Sequence, residues 1–191
     1  MATTSAAQWP TDSNVGKWDN WYSELTAKAG VTYGDPVTYF IAAAFLADCE
    51  LVEDRGCGGG GFRRVCMSKY VGIDGSKTPF ADKIADLCTY RSSVPGIVMR
   101  HILEHNYQWE QVLRSALDSF QKKFCLILFT PFAEQTREIA HNRASGVDVP
   151  DLSFSRADIE KHLVGLNWKL MQDLGTKSQY GVEHIYFIWR S

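Results

Sequence analysis

The sequence predicts an α/β fold, a three-layer α/β/α sandwich around a mostly parallel seven-stranded sheet with a C-terminal antiparallel hairpin. Short apolar runs alternate with helical patterns along the chain, as they do when crossover helices join parallel strands. The run Gly96–Ile102 is almost continuously apolar, which is typical of a central strand covered on both faces. The last two predicted strands, at Leu166–Met171 and Gly181–Arg190, are separated by a polar turn.

Composition indicates one globular domain over residues 1–191, because 45% of the residues are apolar and 22% are charged. The net charge of −2 gives no general attraction to phosphate backbones, so a nucleic-acid partner is disfavoured, although a local basic patch is not excluded. The five cysteines show no CxxC spacing, which favours a reducing, cytoplasmic location. No apolar run reaches membrane-spanning length, so no membrane partner is expected.

The N-terminal quarter is expected to form a flexible tail and a helical cap. Residues 1–14 are small and polar and lack the features of a signal peptide, and residues 15–48 carry helical patterns. Within this cap, a helix is predicted over Pro36–Asp48 because Asp35 can act as its N-cap and Pro36 suits the first helical position.

The remaining elements follow in order along the chain. Strands are predicted at Leu51–Val52, Tyr70–Asp74, Ile84–Asp86, Gly96–Ile102 and Phe124–Phe129, and a helix with one apolar face over 107–123. Several connections are too short for a full helix, so shortened helices are expected. Residues 131–154 lack clear periodicity and are predicted to form a substrate-side loop. Ser155 and Asp158 resemble a capping box that begins a further helix.

A glycine-rich segment between the first two strands predicts a nucleoside site. It reads Asp54-Arg55-Gly56-Cys57-Gly58-Gly59-Gly60-Gly61, and Asp74 ends the next strand. Glycine lets the backbone approach a ligand and adopt positive φ. A carboxylate at a strand tip can accept hydrogen bonds from both hydroxyls of a ribose. Both features are expected at the carboxyl edge of the sheet, where such folds bind ligands.

Two other interpretations of the glycine segment remain open. Gly56, Gly58 and Gly61 satisfy the GxGxxG pattern of dinucleotide-binding proteins, so an NAD-dependent oxidoreductase is an alternative. Against it, Asp54 would repel a dinucleotide phosphate, and the chain leaves little room for a second nucleotide half. A glycine-rich turn without any ligand is disfavoured because successive glycines cost backbone entropy.

Three motifs in order resemble a known family. Asp54-x-Gly56-x-Gly58-x-Gly60 resembles the first motif of the class I (Rossmann-like) S-adenosylmethionine-dependent methyltransferases. Tyr-Val-Gly-Ile-Asp74 resembles their second motif, and Arg100-His101-Ile102-Leu103-Glu104-His105 is similar to their later Leu-Glu-His segment. The resemblance runs from about residue 51 to residue 129. It implies S-adenosylmethionine as the cofactor and methyl transfer to a small-molecule or glycan-like acceptor.

The resemblance also implies roles for individual residues. The implied cofactor site comprises Asp54, Gly56, Cys57, Gly58, Gly60, Asp74, Gly75, Ser76, Asp86, Leu87 and Arg100. Asp54 would orient the methionine ammonium, Asp74 would hold the ribose hydroxyls, and Asp86 would accept from the adenine amino group. Arg100 occupies a position whose backbone carbonyl faces the methionine amine in the family.

Candidates for chemistry follow the predicted strand ends. His101 and His105 are candidate general bases, although His105 could equally be a structural residue that packs on the sheet. Candidate acceptor contacts are Thr130, Phe132, Arg137 and His141. No cluster has metal-ligand spacing.

The sequence also departs from the family pattern. Glu53 and Arg55 stand where the family usually has apolar residues, but residues two apart on a strand share a face and can neutralise each other. Together with the shortened helices, this departure motivates a second hypothesis. The chain could be a degenerate member that serves as a cofactor-sensing or partner-binding module.

Overall fold

The computed structural model describes residues 14–25, 33–143 and 146–191, and the predicted tail up to residue 13 lies outside them. The main sheet has seven strands: β1 (Leu51–Arg55), β2 (Lys69–Asp74), β3 (Lys83–Ile84), β4 (Val94–Arg100), β5 (Phe120–Leu128), β8 (Asn167–Gly175) and β9 (Val182–Trp189). Their order is β3-β2-β1-β4-β5-β9-β8. β1 to β5 are parallel, whereas β9 runs antiparallel to both β5 and β8. This arrangement confirms the predicted mostly parallel sheet with a C-terminal hairpin.

Helices cover both faces of the sheet. The four described α-helices are α1 (Asp19–Leu25), α2 (Val37–Leu46), α3 (Trp109–Leu117) and α4 (Arg156–Glu160). One buried core joins α2 to residues such as Val98 and Ile127 on one face. The other core joins α3 and Ile159 of α4 to residues such as Met99 and Leu126 on the opposite face. Neighbouring residues of a strand point to opposite faces of the sheet. One core therefore lies on each face, and the sheet is the middle layer of a three-layer sandwich.

The expected shortening of the crossover helices is present in the structure. Between β1 and β2 the described chain forms only a single 3-10 turn, Phe62–Arg64. The ring of Phe62 packs between Tyr39 of α2 and Tyr70 of β2, with centroid distances of 6.1 and 6.5 Å. The N-terminal helix α2 therefore covers sheet surface that a longer crossover helix would otherwise bury.

Two predicted segments differ from the structure. The helix predicted over 107–123 ends at Leu117, and β5 already begins at Phe120, because Phe120 pairs with Val94 at the start of β4. Residues 131–154, predicted as a loop, contain a two-stranded antiparallel sheet of β6 (Arg137–Asn142) and β7 (Val149–Ser153). All five residues of β7 are buried, so this strand shows no alternation that the sequence could reveal.

Ser155 is the N-cap of α4, which is half of the predicted capping box; its own N–H donates to Thr136 Oγ1 at 3.1 Å and not to Asp158. The Ser155 Oγ accepts a hydrogen bond from the Asp158 N–H at 3.1 Å, and Ser155 adopts the extended conformation of an N-cap. We expect Ser155→Ala to lower the free energy of unfolding by about 1 kcal/mol, measured by urea denaturation. Ser155→Asp should retain the stability, because aspartate caps as well as serine. An equal loss in both variants would contradict this role.

The unusual charges of β1 form a buried ion pair. Arg55 Nη2 lies 3.0 Å from Glu53 Oε2, and the two side chains are 1% and 4% exposed. Tyr90 and Ser92 each donate a hydroxyl to Glu53, at 2.8 and 2.9 Å. Both side chains lie on the face of the sheet that α3 covers, as their two-residue spacing predicts, and their opposite charges neutralise each other there. These charges therefore do not disturb the opposite face.

Candidate functional site

A cavity of about 350 Å³ opens at the carboxyl edge of the parallel strands, where the sequence predicts a nucleoside site. Its volume is within the range of about 300–1,000 Å³ typical of small-molecule sites. The predicted residues that line it are Gly56, Cys57, Gly58, Asp74, Gly75, Ser76, Asp86, Leu87, Arg100, His101 and His105. The structure thus brings together residues from five separate stretches of the chain.

The glycine segment folds into a turn that other residues could not form. Gly56 has φ +80°, and its N–H donates to the Ile73 carbonyl of β2 at 2.7 Å. A Cβ atom on Gly56 would lie 2.0 Å from Ile102 Cδ1, closer than real atoms approach. Gly58 also has positive φ, at +48°. The turn is therefore specified by both backbone conformation and lack of space.

Asp74 ties this turn to the end of β2. Its two carboxylate oxygens accept hydrogen bonds from the N–H groups of Gly58 and Ser76, both at 2.9 Å. Burial raises the pKa of Asp74 to about 6, although these backbone hydrogen bonds act to lower it. A carboxylate has about four acceptor sites, so each oxygen can accept one more hydrogen bond. Asp74 is thus fixed in position with acceptor capacity that faces the cavity.

The described N-terminal segment, residues 14–25, lies across the same edge. The Gly16 N–H donates to the Gly75 carbonyl at 2.9 Å, and the Trp18 N–H donates to Ser76 Oγ at 3.0 Å. The Lys77 N–H in turn donates to Asp19 Oδ1 at 2.7 Å. Trp18 and Tyr22 stack at 6.2 Å and both line the cavity. This segment therefore forms an aromatic part of the cavity wall next to the Asp74–Ser76 turn.

Two predicted cofactor residues lie behind the cavity wall. Asp54 is buried on β1 and accepts a hydrogen bond from the Tyr70 hydroxyl at 2.9 Å, and burial raises its pKa to about 7. Gly60 packs under Phe80, whose ring would be 2.7 Å from an added Cβ. Neither residue lines the cavity, so in this structure both support the glycine turn from behind.

Arg100 lines the cavity and has a buried side chain with several partners. Its Nε donates to Glu183 Oε1 at 2.9 Å and to Thr38 Oγ1 at 3.0 Å. Its Nη2 donates to the Tyr33 carbonyl at 2.8 Å. Its Nη1 is buried and forms no hydrogen bond with any described residue. The sequence predicts a role for the backbone carbonyl only, whereas the structure adds a buried cation beside the cavity.

The two histidines have different surroundings. His101 directly follows β4 and has φ +59°, an uncommon conformation for a non-glycine residue. Its Nε2 lies 2.6 Å from Glu183 Oε1. Burial lowers the pKa of His101 to about 4. The Nδ1 of His105 lies 3.0 Å from the Pro150 carbonyl and 3.2 Å from Asp151 Oδ1. Burial acts to lower the pKa of His105, but Asp151 raises it above the ordinary value.

None of the four predicted acceptor contacts is among the residues that line this cavity. Thr130 is buried and donates its hydroxyl to the Leu152 carbonyl, and Phe132 stacks on His184 at 4.1 Å. Arg137 is the first residue of β6 and is exposed. His141 is held between Glu138 and Asp148 at 2.8 and 2.7 Å.

Other residues of the cavity were not identified from the sequence as site residues. Phe129 at the end of β5, Asn142 of β6, and Ser178 and Gln179 of the β8–β9 turn line it. Asp151 lies behind His105 and is 1% exposed. Phe129 could have been found from its position after a parallel strand. The others come from segments without a motif, and only the folded chain brings them to the site.

The described residues contain no group of three His, Cys, Asp or Glu side chains placed to hold a metal ion. In the same part of the chain, no helix combines the length and apolar character that a membrane crossing requires.

Comparisons with known proteins agree with this geometry. No family model and no curated protein matches the chain. Among solved structures, the Burkholderia thailandensis 1,6-didemethyltoxoflavin-N1-methyltransferase, with its substrate and S-adenosylhomocysteine bound, aligns with a TM-score of 0.60 and 13% identity, over 81% of this chain and 76% of that one. The Synechocystis PCC 6803 magnesium protoporphyrin IX methyltransferase with bound S-adenosylhomocysteine aligns with a TM-score of 0.60 and 15% identity, over 91% and 94%.

A third similar structure is the putative methyltransferase in complex with the Haloferax volcanii Trm112 methyltransferase activator, with a TM-score of 0.58 and 13% identity, over 91% and 95% of the two chains. At these identities the likeness establishes the fold. Strand order, glycine turn and strand-end carboxylate all agree with it. The chain has the class I S-adenosylmethionine-dependent methyltransferase fold.

Proposed function

We propose that the chain is an S-adenosylmethionine-dependent methyltransferase that acts on a small-molecule acceptor. The observation that carries this proposal is that Asp74 and the glycine turn share one cavity with His101 and His105. Nucleoside-binding groups and candidate proton acceptors therefore lie in the same enclosed space. The similar structures solved with S-adenosylhomocysteine support the choice of cofactor.

The residues present fit the proposed cofactor. Asp74 keeps acceptor capacity for ribose hydroxyls, and Asp86 and Leu87, which also line the cavity, would border the adenine. Arg100 also lines the cavity, but its guanidinium is paired with Glu183 and its Nη1 is buried, so the part proposed to face the methionine amine is its backbone carbonyl. When bound, S-adenosylmethionine supplies an electrophilic methyl group on a sulfonium. The protein's contribution is to hold this group and the acceptor in line and to exclude water.

The cavity favours this proposal over its two competitors. A partner-binding module would have no need of a cavity beside His101, yet the structure has one. A dinucleotide-dependent oxidoreductase would have to bind a pyrophosphate at the glycine turn. The Gly58 N–H of that turn already donates to the Asp74 carboxylate, so it is not available to a phosphate. All five cysteines are free, in keeping with the cytoplasmic location that we propose.

Isothermal titration calorimetry with S-adenosylhomocysteine and with NADH tests the cofactor assignment. We expect S-adenosylhomocysteine to bind with one site per chain and NADH to release no heat. Binding of NADH alone would support the oxidoreductase. Binding of neither ligand would favour the partner-binding module.

We expect the affinity for S-adenosylhomocysteine to depend on the ionisation of Asp74. Ribose hydroxyls donate to the ionised carboxylate, and the pKa of Asp74 without ligand is raised to about 6. Binding must therefore release a proton from the protonated form, so the affinity falls as the pH decreases below about 6, approaching tenfold per pH unit. Between about pH 7 and pH 8 the affinity should be constant with respect to this group. Calorimetry below about pH 6 and between about pH 7 and pH 8 measures the affinity in both ranges. An affinity that rises towards low pH would contradict the assignment.

A further inference from the structure

We propose that His105 is the general base of the reaction, that Asp151 is the residue that positions it, and that the acceptor is a small molecule with an aromatic hydroxyl group. This inference rests on the proposed methyltransferase function and names the acceptor class and the proton-transfer residues of the same cavity. It starts from the contacts of the His105 ring.

The hydrogen bonds of His105 determine which ring nitrogen carries the proton. Nδ1 faces the Pro150 carbonyl at 3.0 Å and the Asp151 carboxylate at 3.2 Å. Both of these groups can only accept, so Nδ1 must be the donor. In the neutral ring Nε2 therefore keeps its lone pair. His105 lines the cavity and its side chain is 16% exposed, so we assign Nε2, the ring nitrogen that does not face Pro150 and Asp151, to the cavity side.

Asp151 is held rigidly behind this histidine. The Tyr180 hydroxyl and the Gln179 amide donate to Asp151 Oδ2 at 2.8 and 3.0 Å. Its other oxygen, Oδ1, has no hydrogen-bond partner among the described residues apart from the ion-pair contact with His105. Burial acts to raise the pKa of Asp151, but the donors around it hold the pKa below its usual value. An ionised carboxylate therefore faces Nδ1 and stabilises the imidazolium that forms when Nε2 takes a proton.

His101 cannot fill this role equally well. Its Nε2 is committed to Glu183 at 2.6 Å, and Glu183 is itself paired with Arg100 at 2.9 Å. The neighbouring positive charge and the burial of the ring both disfavour protonation of His101. The surroundings of His105 are different: Asp151 from β7 and Glu104 beside it favour the protonated form and outweigh the burial of the ring, which opposes it. Of the two histidines, His105 therefore has the surroundings that favour acceptance of a proton.

The walls around His105 indicate the acceptor. The ring of Phe129 lies 5.4 Å from the His105 ring, and the Trp18 ring lies 5.3 Å from it, so two aromatic side chains border His105 in the cavity. Trp21 and Tyr33 extend the same aromatic lining. Aromatic side chains bind planar aromatic ligands by stacking and edge contacts. A general base is required when the attacking atom is a hydroxyl oxygen that is neutral in solution.

The step balances with groups already named. The hydroxyl proton of the acceptor passes to His105 Nε2, and the oxygen uses its electron pair to form the new bond to the methyl carbon. The bond between that carbon and sulfur breaks with its pair left on sulfur. The products are the methyl ether, S-adenosylhomocysteine and a protonated His105, which returns its proton to solvent.

Histidine ¹⁵N NMR tests the dyad without any acceptor. In the wild-type protein, neutral His105 should show the Nδ1–H tautomer and titrate above the ordinary histidine pKa of about 6.5. Asp151→Asn, which retains an acceptor for Tyr180 and Gln179, should lower this pKa by about one unit or more. The matched control is Asp148→Asn, because Asp148 is exposed and pairs with His141 instead. An Nε2–H tautomer, or an unchanged His105 pKa in Asp151→Asn, would overturn the dyad.

Turnover of two phenols separates proton transfer from binding. With S-adenosylmethionine at pH 8, phenol requires a base, whereas 4-nitrophenol is largely ionised in solution. We expect Asp151→Asn and His105→Gln to lower kcat for phenol about 100-fold or more and to change kcat for 4-nitrophenol less than about threefold. Equal losses for both phenols would assign these residues a structural role, and turnover of neither phenol by the wild type would overturn the acceptor class. Calorimetry with S-adenosylhomocysteine on each variant distinguishes these failures from failure of the cofactor assignment.

Discussion

Asp74→Asn is expected to weaken the binding of S-adenosylhomocysteine about 100-fold, a loss of about 2–3 kcal/mol. The carboxylate now accepts one N–H from Gly58 and one from Ser76 and still has acceptor sites for two hydroxyls. The amide of the variant has one oxygen where the carboxylate has two. It can therefore accept from only one of these two backbone N–H groups, and its own NH₂ group faces the other N–H. Calorimetry at pH 8 measures the change.

Two comparisons make this prediction specific to the ribose. Asp118→Asn is the matched control, because Asp118 is an exposed residue that pairs with Arg91 at 3.7 Å, and it should leave the affinity unchanged. The wild-type protein should prefer adenosine to 2′-deoxyadenosine, and Asp74→Asn should lose most of that preference. A variant that binds more weakly but still distinguishes the two nucleosides would show that Asp74 only shapes the loop.

Glu183→Ala is expected to lower the free energy of unfolding by about 3–5 kcal/mol, because it leaves the buried Arg100 without its counterion. The two side chains are 2% and 0% exposed, and the Arg100 Nε–Glu183 Oε1 distance is 2.9 Å. For a domain of this size the loss corresponds to a decrease in Tm of about 10 °C or more. Urea and thermal denaturation measure both quantities.

A surface pair and a double variant provide the controls. Glu160→Ala removes the partner of Arg156 at 2.8 Å and a long contact with the Tyr186 hydroxyl at 3.4 Å. Because Arg156 is 47% exposed and can be solvated, this change should cost less than about 1 kcal/mol. The double variant Arg100→Met, Glu183→Leu should recover much of the lost stability, because it removes both buried charges together. If Glu183→Ala costs no more than Glu160→Ala, the buried pair does not stabilise the fold as we describe.

The mostly parallel sheet and the glycine turn could be predicted because local signals specify them. Gly56 needs a positive φ, Asp74 ends an apolar run, and continuous apolar strands belong to a parallel sheet. Helix lengths were harder to predict. Phe120 continues the periodicity of α3, but Asp118 and Ser119 end that helix, and Phe120 pairs with β4 instead. Tertiary pairing decided this boundary.

The acceptor side of the cavity could not be predicted from the sequence in the same way. Asp151 lies in a fully buried strand without alternation, and it reaches His105 only because the β6–β7 sheet folds onto the 3-10 turn at Leu103–His105. Arg100 and Glu183 meet across 83 residues of chain, so no local pattern links them. Long-range partners of this kind are visible only once the chain is folded.

A crystal structure of the protein with S-adenosylhomocysteine tests the central claim most directly. We expect both ribose hydroxyls within hydrogen-bond distance of the Asp74 carboxylate, and the sulfur on the side of the cavity that His105 lines. A ligand bound elsewhere, or a ribose that makes no contact with Asp74, would contradict the proposed site and the activity inferred from it.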